Sequence, residues 1–579
     1  MSDSINNKLE CHNDMTFNKL IIGFIKENKL TFTAYMLLLL AIPLRDILMP
    51  HMIGKLYNKV KNGESFTFVI LVISALIIVI QISYILGDFV ETKLHPAMNK
   101  FIREKMMAHL FATRTNRYND LEIGGVISKI IKLPNILYNY VDHIKGMIIP
   151  YIITVLFSLV YIAFIDWKLC IPLVIILFIF VLTLSTSFNT CSKSAVLRDE
   201  NFTMLFADVD DVLRNMITVM SFNKMDAEFE RLNKYQKDYS YYTEETLKCS
   251  LVSKYIGIPL ILLYIVFLCY YCYKQVTNNK MSSGTFVTLL IISFIILNII
   301  LVTLSSWKDI LLRWGIIKHS MNTFEYCDVH REPYNLPARV TSGIHFQDVD
   351  FNYITDDSER PVFKNLNLNI RFNEVTLIVG EIGSGKSTLI NMMLKYQLPQ
   401  RGEVFLDGVP FSKINNNEIR RRIIYIPQTP ILLNRSVYEN ITYGLEGQNV
   451  SKDKVEQLVR DLGLHRFIDG LPQKLDTNVG MHGSKLSGGQ RQIVWILKAI
   501  LMNPDIIIMD EPTASVDEDT KKIIHYLLEK VMVGKTIIMI THDPYLLKFA
   551  NRVITTGNGG VVSDEYINKS ESAPNQAPN

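Results

Sequence analysis

The sequence predicts a polytopic α-helical membrane domain with six spans, followed by a soluble α/β domain. Two observations support this fold class. Of the 579 residues, 49% are hydrophobic and the mean hydropathy is +0.18, but the long apolar runs all lie before about residue 305. From Gly343 onward, short β-type runs alternate with helical segments, which is typical of a layered α/β domain.

The composition excludes several other classes of protein. Only 20% of the residues are charged, and the high apolar fraction excludes a disordered chain. The net charge of +4 is too small to indicate a nucleic-acid binder. The seven cysteines are scattered, so no secreted disulfide framework is expected. We interpret Cys269 and Cys272, which lie inside an apolar run, as membrane-helix thiols rather than a redox or metal pair.

Six segments are apolar and long enough to cross a bilayer, since about 20 helical residues span its hydrocarbon core. They are Thr31–Met49, Phe66–Leu86, Met147–Ile165, Leu169–Phe188, Tyr255–Tyr273 and Thr285–Leu304. The first is the weakest, because it contains Arg45 and Asp46. Acidic residues precede it and no small-residue cleavage site follows, so we do not expect a secretory signal peptide.

The connections between the spans alternate in length. Those after the second and fourth spans are long, about 87–146 and 189–254, and both are rich in Lys and Arg. Excess positive charge marks the cytoplasmic side, so both termini and both long segments are expected there. Apolar residues at helical spacing, such as Phe101 and Met106, predict that the membrane helices continue into the cytoplasm. The alternative is two inserted cytoplasmic helices without a role in communication.

The second half contains a phosphate-binding motif in the right context. Five strands are predicted, at Gly343–Phe351, Glu374–Val379, Ile423–Ile426, Ile506–Met509 and Thr536–Ile540. The segment Gly380-Glu381-Ile382-Gly383-Ser384-Gly385-Lys386-Ser387 follows the second of them, matches G-x-x-x-x-G-K-[ST], and leads through Thr388 into a helical run. It is therefore predicted to be the phosphate-binding loop (P-loop) of an NTPase.

The residue types of this motif explain how it would bind a nucleotide. Gly380, Gly383 and Gly385 let backbone N–H groups converge on phosphate oxygens, next to the positive end of a helix. Lys386 is expected to reach the β- and γ-phosphates, and the Ser387 hydroxyl to bind Mg²⁺.

A second acidic motif supports the same chemistry. Asp510 and Glu511 come directly after a buried-strand run. Beside a P-loop, a carboxylate at a strand end is placed to hold Mg²⁺, and Glu511 is expected to polarise an attacking water as general base. The simpler alternative, two acidic residues that begin a helix, is disfavoured by the P-loop.

Between these motifs lies Leu486-Ser487-Gly488-Gly489-Gln490, and here the sequence resembles the ATP-binding cassette (ABC) proteins, whose signature motif is LSGGQ. The resemblance implies that this segment meets the γ-phosphate of ATP bound to a partner chain's P-loop. It also implies roles for other positions: Tyr353 would stack on adenine, Gln428 would contact Mg²⁺ and the attacking water, Asp517 matches the D-loop aspartate, and His542 matches the switch histidine that contacts the γ-phosphate. The expected metal ligands are thus Ser387, Gln428 and Asp510.

The resemblance covers nearly the whole chain and implies an exporter-type half-transporter. The expected domains are a cytoplasmic N-terminal segment (1–30), a six-helix transmembrane domain (31–325), a linker (326–342), an ABC nucleotide-binding domain (343–565) and a disordered tail (566–579). Residues 119–125 and 212–230 resemble the tips that carry short coupling helices in this family.

Some positions depart from the family pattern. Met481-His482 stands where an acidic residue and Arg are usual, which puts coupling through that point in doubt. Trp495 and Lys498 replace a small residue and Arg, and Ser515-Val516 replaces Ala-Leu. None of these positions is expected to hold phosphate, metal or water, so ATP hydrolysis remains the expectation.

The function expected from the resemblance is ATP-driven export by a dimer. The partner is a second half-transporter chain, identical or different, and the cofactors are ATP and Mg²⁺. No nucleic-acid partner is expected, because a soluble ABC ATPase acting on nucleic acid would have two cassettes and no spans. An ATP-gated channel or ATP-binding regulator is the remaining alternative. The cargo and the particular membrane stay open.

Polar residues inside the spans suggest where cargo passes. Arg45, Gln81 and Asn298 are costly in hydrocarbon, and such groups usually face a bundle interior or a cavity. We expect at least one of them to line the cargo path. The alternative is that Arg45 pairs with Asp46 and the other two make structural helix contacts.

Overall fold

The computed structural model describes residues 16–113, 123–322, 340–355, 358–514, 516–557 and 559–567. The chain divides into two compact units, of which the first holds the described residues up to 322 and the second those from 340. Most of the first predicted tip, most of the predicted linker and nearly all of the predicted tail lie outside the described residues, so their predictions remain predictions.

The first unit is helical. Its helices are α1 (Phe17–Glu27), α2 (Lys29–Leu39), α3 (Ala41–Lys61), α4 (Thr67–Thr113), α5 (Ile123–His143), α6 (Ile149–Asp166), α7 (Cys170–Arg214), α8 (Met216–Ser221), α9 (Met225–Thr277) and α10 (Ser283–Asn322). A π-helical turn joins α5 to α6, and a 3₁₀ turn joins α6 to α7.

Five helical stretches in the described part of the chain are long and apolar enough to cross a membrane. One of them, Val126–Arg214, contains two of the six predicted spans, which separate where Asp166 leaves the helical conformation (φ −155°, ψ 107°). The first predicted span, Thr31–Met49, lies within the stretch Lys29–Lys61. The charges within it are tolerated because Arg45 and Asp46 form an ion pair of 2.7 Å.

The membrane helices continue well past the predicted spans, as the sequence indicated. Helix α4 runs to Thr113, α7 runs to Arg214 and α9 begins at Met225. The short helix α8 lies in the predicted second tip. The long predicted loops are therefore mostly extensions of the spanning helices, at least within the described residues.

The described cysteines comprise free thiols and one disulfide. Cys269 and Cys272 are free thiols on α9, and no group of three or more His, Cys, Asp or Glu residues in the described chain could hold a metal ion. A disulfide between Cys191 on α7 and Cys249 on α9 was not expected from the sequence. The two cysteines are 58 residues apart and meet because α7 and α9 pack side by side.

The second unit contains two sheets. Their strands are β1 (Ile344–Thr355), β2 (Ser358–Ile370), β3 (Val375–Gly380), β4 (Arg401–Leu406), β5 (Val409–Pro410), β6 (Ile423–Ile426), β7 (Ile506–Asp510), β8 (Thr536–Ile540), β9 (Arg552–Gly557) and β10 (Gly560–Tyr566). One sheet has the order β2-β1-β4-β5 and the other the order β10-β9-β3-β8-β7-β6. All five predicted strands are present, and β2, β4, β5, β9 and β10 were missed.

The second unit also contains eight α-helices in its described residues. They are α11 (Lys386–Met393), α12 (Asn416–Arg422), α13 (Val437–Thr442), α14 (Lys452–Asp461), α15 (His465–Asp469), α16 (Gly488–Met502), α17 (Glu518–Met532) and α18 (Pro544–Leu547). Strand β8 is buried along its whole length, as expected for a central strand covered on both faces.

Candidate nucleotide site

The larger sheet brings four predicted motifs to one edge. Strands β3, β8, β7 and β6 are neighbours and run parallel. Because the carboxyl ends of parallel strands meet at the same edge, the segments that follow these strands lie together, and ligands of open α/β sheets bind at this edge. These segments are the P-loop after β3, His542 after β8, Glu511 after β7 and Gln428 after β6.

The P-loop has the backbone conformation that its glycines allow. Gly383 and Gly385 have φ values of +87° and +92°, in a region that other residues rarely adopt. A Cβ atom on Gly385 would lie 2.6 Å from the Phe363 ring, so this position needs glycine for space as well. The loop leads directly into α11, and the side chains of Ile382 and Ser387 at its surface are exposed.

Lys386 lies across the loop that precedes it. Its Nζ donates to the carbonyl oxygens of Gly380 (2.7 Å) and Glu381 (2.9 Å). Ser384 shares a 2.8 Å hydrogen bond with Thr556 on β9, which anchors the loop to the sheet. The ammonium is therefore held at the loop, where phosphates are expected, by contacts that phosphate oxygens can replace.

Asp510 is a partly buried carboxylate at the end of β7. Burial raises its pKa and so does the neighbouring Glu511, whereas a hydrogen bond from Tyr425 and the charge of Lys386 lower it; the net direction is upward. The Tyr425 hydroxyl donates to Asp510 Oδ2 at 3.1 Å. The carboxyl group is thus oriented by Tyr425 and lies within the electrostatic reach of the P-loop lysine.

Glu511 is held in a strained backbone conformation. Its φ is +42°, which is uncommon for a residue other than glycine and is characteristic of functional sites. Its N–H donates to the Ile540 carbonyl of β8 at 2.7 Å, and its Oε2 accepts a 3.0 Å hydrogen bond from Gln428 Nε2. The structure therefore brings together the expected general base and the expected water-sensing glutamine.

Next to the exposed His542 lies a buried hydrogen-bond cluster centred on Asp543, which the sequence analysis did not predict. Asp543 Oδ2 accepts hydrogen bonds from Thr513 (2.8 Å) and His525 Nε2 (2.7 Å), and Oδ1 accepts one from the Tyr545 N–H (3.0 Å). Burial raises the pKa of Asp543, but these hydrogen bonds outweigh it, and the pKa is lowered. Thr513 belongs to the segment after Glu511, and His525 belongs to α17, so Asp543 ties both to the His542 segment.

We expect substitutions in the hydrogen-bond cluster around Asp543 to slow ATP turnover without weakening ATP binding. His525→Ala removes one charge-assisted hydrogen bond and should lower kcat about tenfold, equivalent to ~1.4 kcal/mol, with KM for ATP nearly unchanged. His525→Gln keeps an N–H donor and should recover most of the rate. Steady-state ATPase kinetics of the two variants measure this, and an equal loss in both would refute a positioning role for the hydrogen bond.

Tyr353, the expected adenine-stacking residue, is half-buried beside α11. Its hydroxyl lies 3.1 Å from Thr388 Oγ1 and donates to Gln397 Oε1 at 3.2 Å. These bonds fix the ring next to the P-loop helix. Stacking on adenine remains a prediction.

The signature segment begins helix α16. Ser487 forms a capping box with Gln490, in which the Ser487 hydroxyl accepts from the Gln490 N–H at 3.2 Å and Gln490 Oε1 accepts from the Ser487 N–H at 2.9 Å. Leu486 is buried, Ser487 is exposed and Gly488 is half-exposed. A Cβ on Gly489 would lie 2.3 Å from Thr520, so this glycine allows α16 and α17 to touch.

Asp517, which matches the D-loop aspartate, has hydrogen-bond partners in the structure, and so do some of the residues that depart from the family pattern. Asp517 caps α17 by accepting hydrogen bonds from the N–H and hydroxyl of Thr520, of which the first contributes most to lowering the pKa of Asp517. Trp495 donates to the Ile431 carbonyl at 3.2 Å, and the Lys498 ammonium lies 5.1 Å from the Trp495 ring. Met481 and His482 are exposed, and Ser515 lies outside the described residues.

The polar residues of the spans are separate from this site. Arg45 pairs with Asp46, which agrees with the alternative to a place in the cargo path. Arg45 also donates to the Tyr84 hydroxyl at 2.9 Å. Gln81 and Asn298 are exposed. A role in the cargo path stays a prediction for all three.

Two protein families match the chain, in the order that the fold suggests. Residues 32–300 match the ABC transporter transmembrane region, and residues 363–514 match the ABC transporter domain. The second match contains the P-loop, the signature and Glu511.

The chain is also similar to curated relatives and to a solved structure. A putative export ATP-binding/permease protein of Rickettsia typhi is 26% identical over 85% of this chain and 85% of its own length. Human ATP-binding cassette sub-family B member 5 is 33% identical over 39% of this chain, and the match spans only 18% of the human protein. A bacterial Atm1-family ABC exporter with ATP bound shares the fold, with a TM-score of 0.80 and 20% identity over 93% of this chain and 95% of its own.

Proposed function

Since the chain belongs to the ABC transporters and is an exporter-type half-transporter, an ATPase coupled to export, we propose that it works as a pair of chains sharing two ATP sites. The observation that best supports the pairing of two chains is the exposed position of Ser487 in the signature segment. Apart from its carbonyl, which accepts from the Arg491 N–H, the described hydrogen bonds of Ser487 are those of its own capping box. Ser487 is exposed at the positive end of a 15-residue helix. Such an end is suited to bind an anion from another chain.

Each residue of the sheet edge has a distinct part in hydrolysis. The N–H groups of the P-loop and Lys386 bind and orient the phosphates. Glu511, oriented by Gln428 and by its bond to β8, accepts a proton from the attacking water. His542 contacts the γ-phosphate from the neighbouring strand end, and Asp543 positions its segment. Tyr353 stacks on the adenine.

The residues at this edge also suit Mg²⁺. Ser387, Gln428 and Asp510 offer a hydroxyl, an amide and a carboxylate, all of them hard oxygen donors of the kind that Mg²⁺ prefers. When bound, the ion would neutralise charge on the β- and γ-phosphates. Tyr425 keeps one carboxylate oxygen of Asp510 in place for this role.

The orientation and the cargo path are also proposals. The Lys- and Arg-rich helical extensions support the proposal that the cassette and both termini lie in the cytoplasm. Gln81 and Asn298 are favoured over Arg45 as cargo-path residues, because the charge of Arg45 is already paired. With the cassette in the cytoplasm, export would run from the cytoplasm to the other side of the membrane.

The experiment that tests this function uses the full-length chain in sealed proteoliposomes. We expect ATP-dependent uptake of at least one compound from a panel of amphiphiles, lipids, peptides and thiol conjugates, together with stimulation of ATPase activity by the same compound. Gln81→Ala and Asn298→Ala should reduce that stimulation and leave basal hydrolysis unchanged. ATP-dependent passive flux in both directions would instead identify a gated channel, and absence of hydrolysis would identify a regulator.

A further inference from the structure

Strand β2 of the smaller sheet packs directly against the P-loop. A Cβ atom on Gly385 would lie 2.6 Å from the Phe363 ring and 2.9 Å from Cγ1 of Val362, and both of these side chains belong to β2. Phe363 is itself buried in the core of the cassette. The residues of β2 that come just before Val362 are therefore held close to the loop by packing alone.

Arg360, on this part of β2, connects two predicted parts of the nucleotide site. In the antiparallel pairing of β1 with β2, Arg360 lies opposite Tyr353, the expected adenine-stacking residue. Opposite residues of an antiparallel pair project from the same face of the sheet. The Arg360 side chain also reaches the P-loop, because its Nη2 lies 3.8 Å from the position that a Cβ atom on Gly383 would occupy. The guanidinium thus extends from the side of Tyr353 to the phosphate-binding loop.

The charge of Arg360 is not compensated in the described part of the chain. Its side chain is exposed and has no hydrogen bond or ion pair with a described residue. The two carboxylates of the site, Asp510 and Glu511, follow β7, which is separated from the P-loop strand β3 by β8. By contrast, Lys386 is already engaged by carbonyl oxygens of its own loop. Arg360 is therefore a cation at the nucleotide site that is available to an anionic ligand.

The place of Arg360 determines which part of the nucleotide it can meet. With adenine stacked on Tyr353 and the β- and γ-phosphates at Lys386, as proposed above, the group between them is the α-phosphate with its ribose. We propose that Arg360 binds the α-phosphate of the nucleotide, which rests on the proposed position of adenine at Tyr353. A guanidinium can donate to two oxygens of one phosphate at once, so it fixes the orientation of the phosphate as well as attracting it. Since ATP and ADP both carry an α-phosphate, Arg360 should strengthen the binding of both.

The test is a calorimetric titration of the full-length protein in nanodiscs with ATP and, separately, with ADP. Mg²⁺ is removed by a chelator so that no hydrolysis takes place. Arg360→Gln should weaken the binding of both nucleotides by the same factor, about tenfold for a charge-assisted contact. Arg360→Lys keeps the charge but not the paired donors, and should recover part of the affinity. Lys364→Gln, at an exposed lysine farther along the same strand, is the matched control and should leave both affinities unchanged.

Three outcomes would overturn the proposal. Unchanged affinity of Arg360→Gln for both nucleotides would remove the guanidinium from the site. Weakening of ATP alone would assign Arg360 to the γ-phosphate. An equal loss in Lys364→Gln would show a general effect of surface charge rather than a contact.

A further variant separates this inference from the proposed adenine site on which it rests. Tyr353→Ala should weaken ATP binding but leave the binding of inorganic tripolyphosphate, which has no base, unchanged. If Tyr353→Ala binds ATP normally, the adenine position is wrong and the assignment of the α-phosphate to Arg360 is wrong with it. If Tyr353→Ala weakens ATP binding and Arg360→Gln does not, the adenine position stands and only the role of Arg360 is refuted.

Discussion

Replacement of Glu511 by Gln is expected to lower ATP turnover by about 10²–10⁴-fold while ATP binding survives. The amide keeps the shape of the side chain and its place beside Gln428, but it cannot accept a proton from water. Lys386 and the P-loop are untouched, so the nucleotide should still bind. The variant should therefore accumulate ATP-bound, closed dimers, which is measured as ATP retained by the full-length protein after rapid filtration.

The backbone around Glu511 is held by contacts that do not involve its side chain. Its φ of +42° and its backbone bond to Ile540 fix the residue independently of its side chain, so Glu511→Gln should leave the local backbone as it is. Glu518→Gln, at an exposed carboxylate at the start of α17, is the matched control and should hydrolyse ATP at the normal rate. Near-normal hydrolysis in Glu511→Gln would remove this residue from the role of general base.

The parts of the site that the sequence predicts are those whose residues lie close together along the chain. The P-loop is recognisable because three glycines, a lysine and a serine must follow one another within eight residues. Likewise, a carboxylate directly after an apolar strand is a local pattern. Strands β7 and β8 were predicted because their uninterrupted Ile and Met runs are buried on both faces.

The parts that were missed depend on residues that are distant in sequence. Asp543 and His525 are separated by 18 positions, and only the packing of α17 beside β8 makes them partners. Cys191 and Cys249 meet only because α7 and α9 lie side by side. Strands β2 and β10 carry charged and amide side chains that hide their β pattern, since one face of an antiparallel strand can be solvated.

The second large effect is expected from complementation between two defective chains. Lys386→Ala damages the phosphate loop of the chain that carries it, and Ser487→Arg puts bulk where the partner's γ-phosphate should lie. Each homodimer then has two defective sites and should be nearly inactive. A mixed dimer places both lesions in one site and leaves the other site with an intact Lys386 and an intact Ser487. Isolated through two different tags, the mixed dimer should regain part of the wild-type ATPase activity.

The matched control is a mixed dimer of the wild-type chain with a chain that carries both substitutions. In a shared-site dimer each of its two sites has one lesion, so it should be as inactive as either homodimer. A self-contained site predicts the reverse, because the wild-type chain would keep its own complete site. Loss of the Ser487 cap costs only about 1 kcal/mol, so the Arg variant should still fold. Activity in this control, together with an inactive complementary pair, would overturn the shared site and the obligate dimer with it.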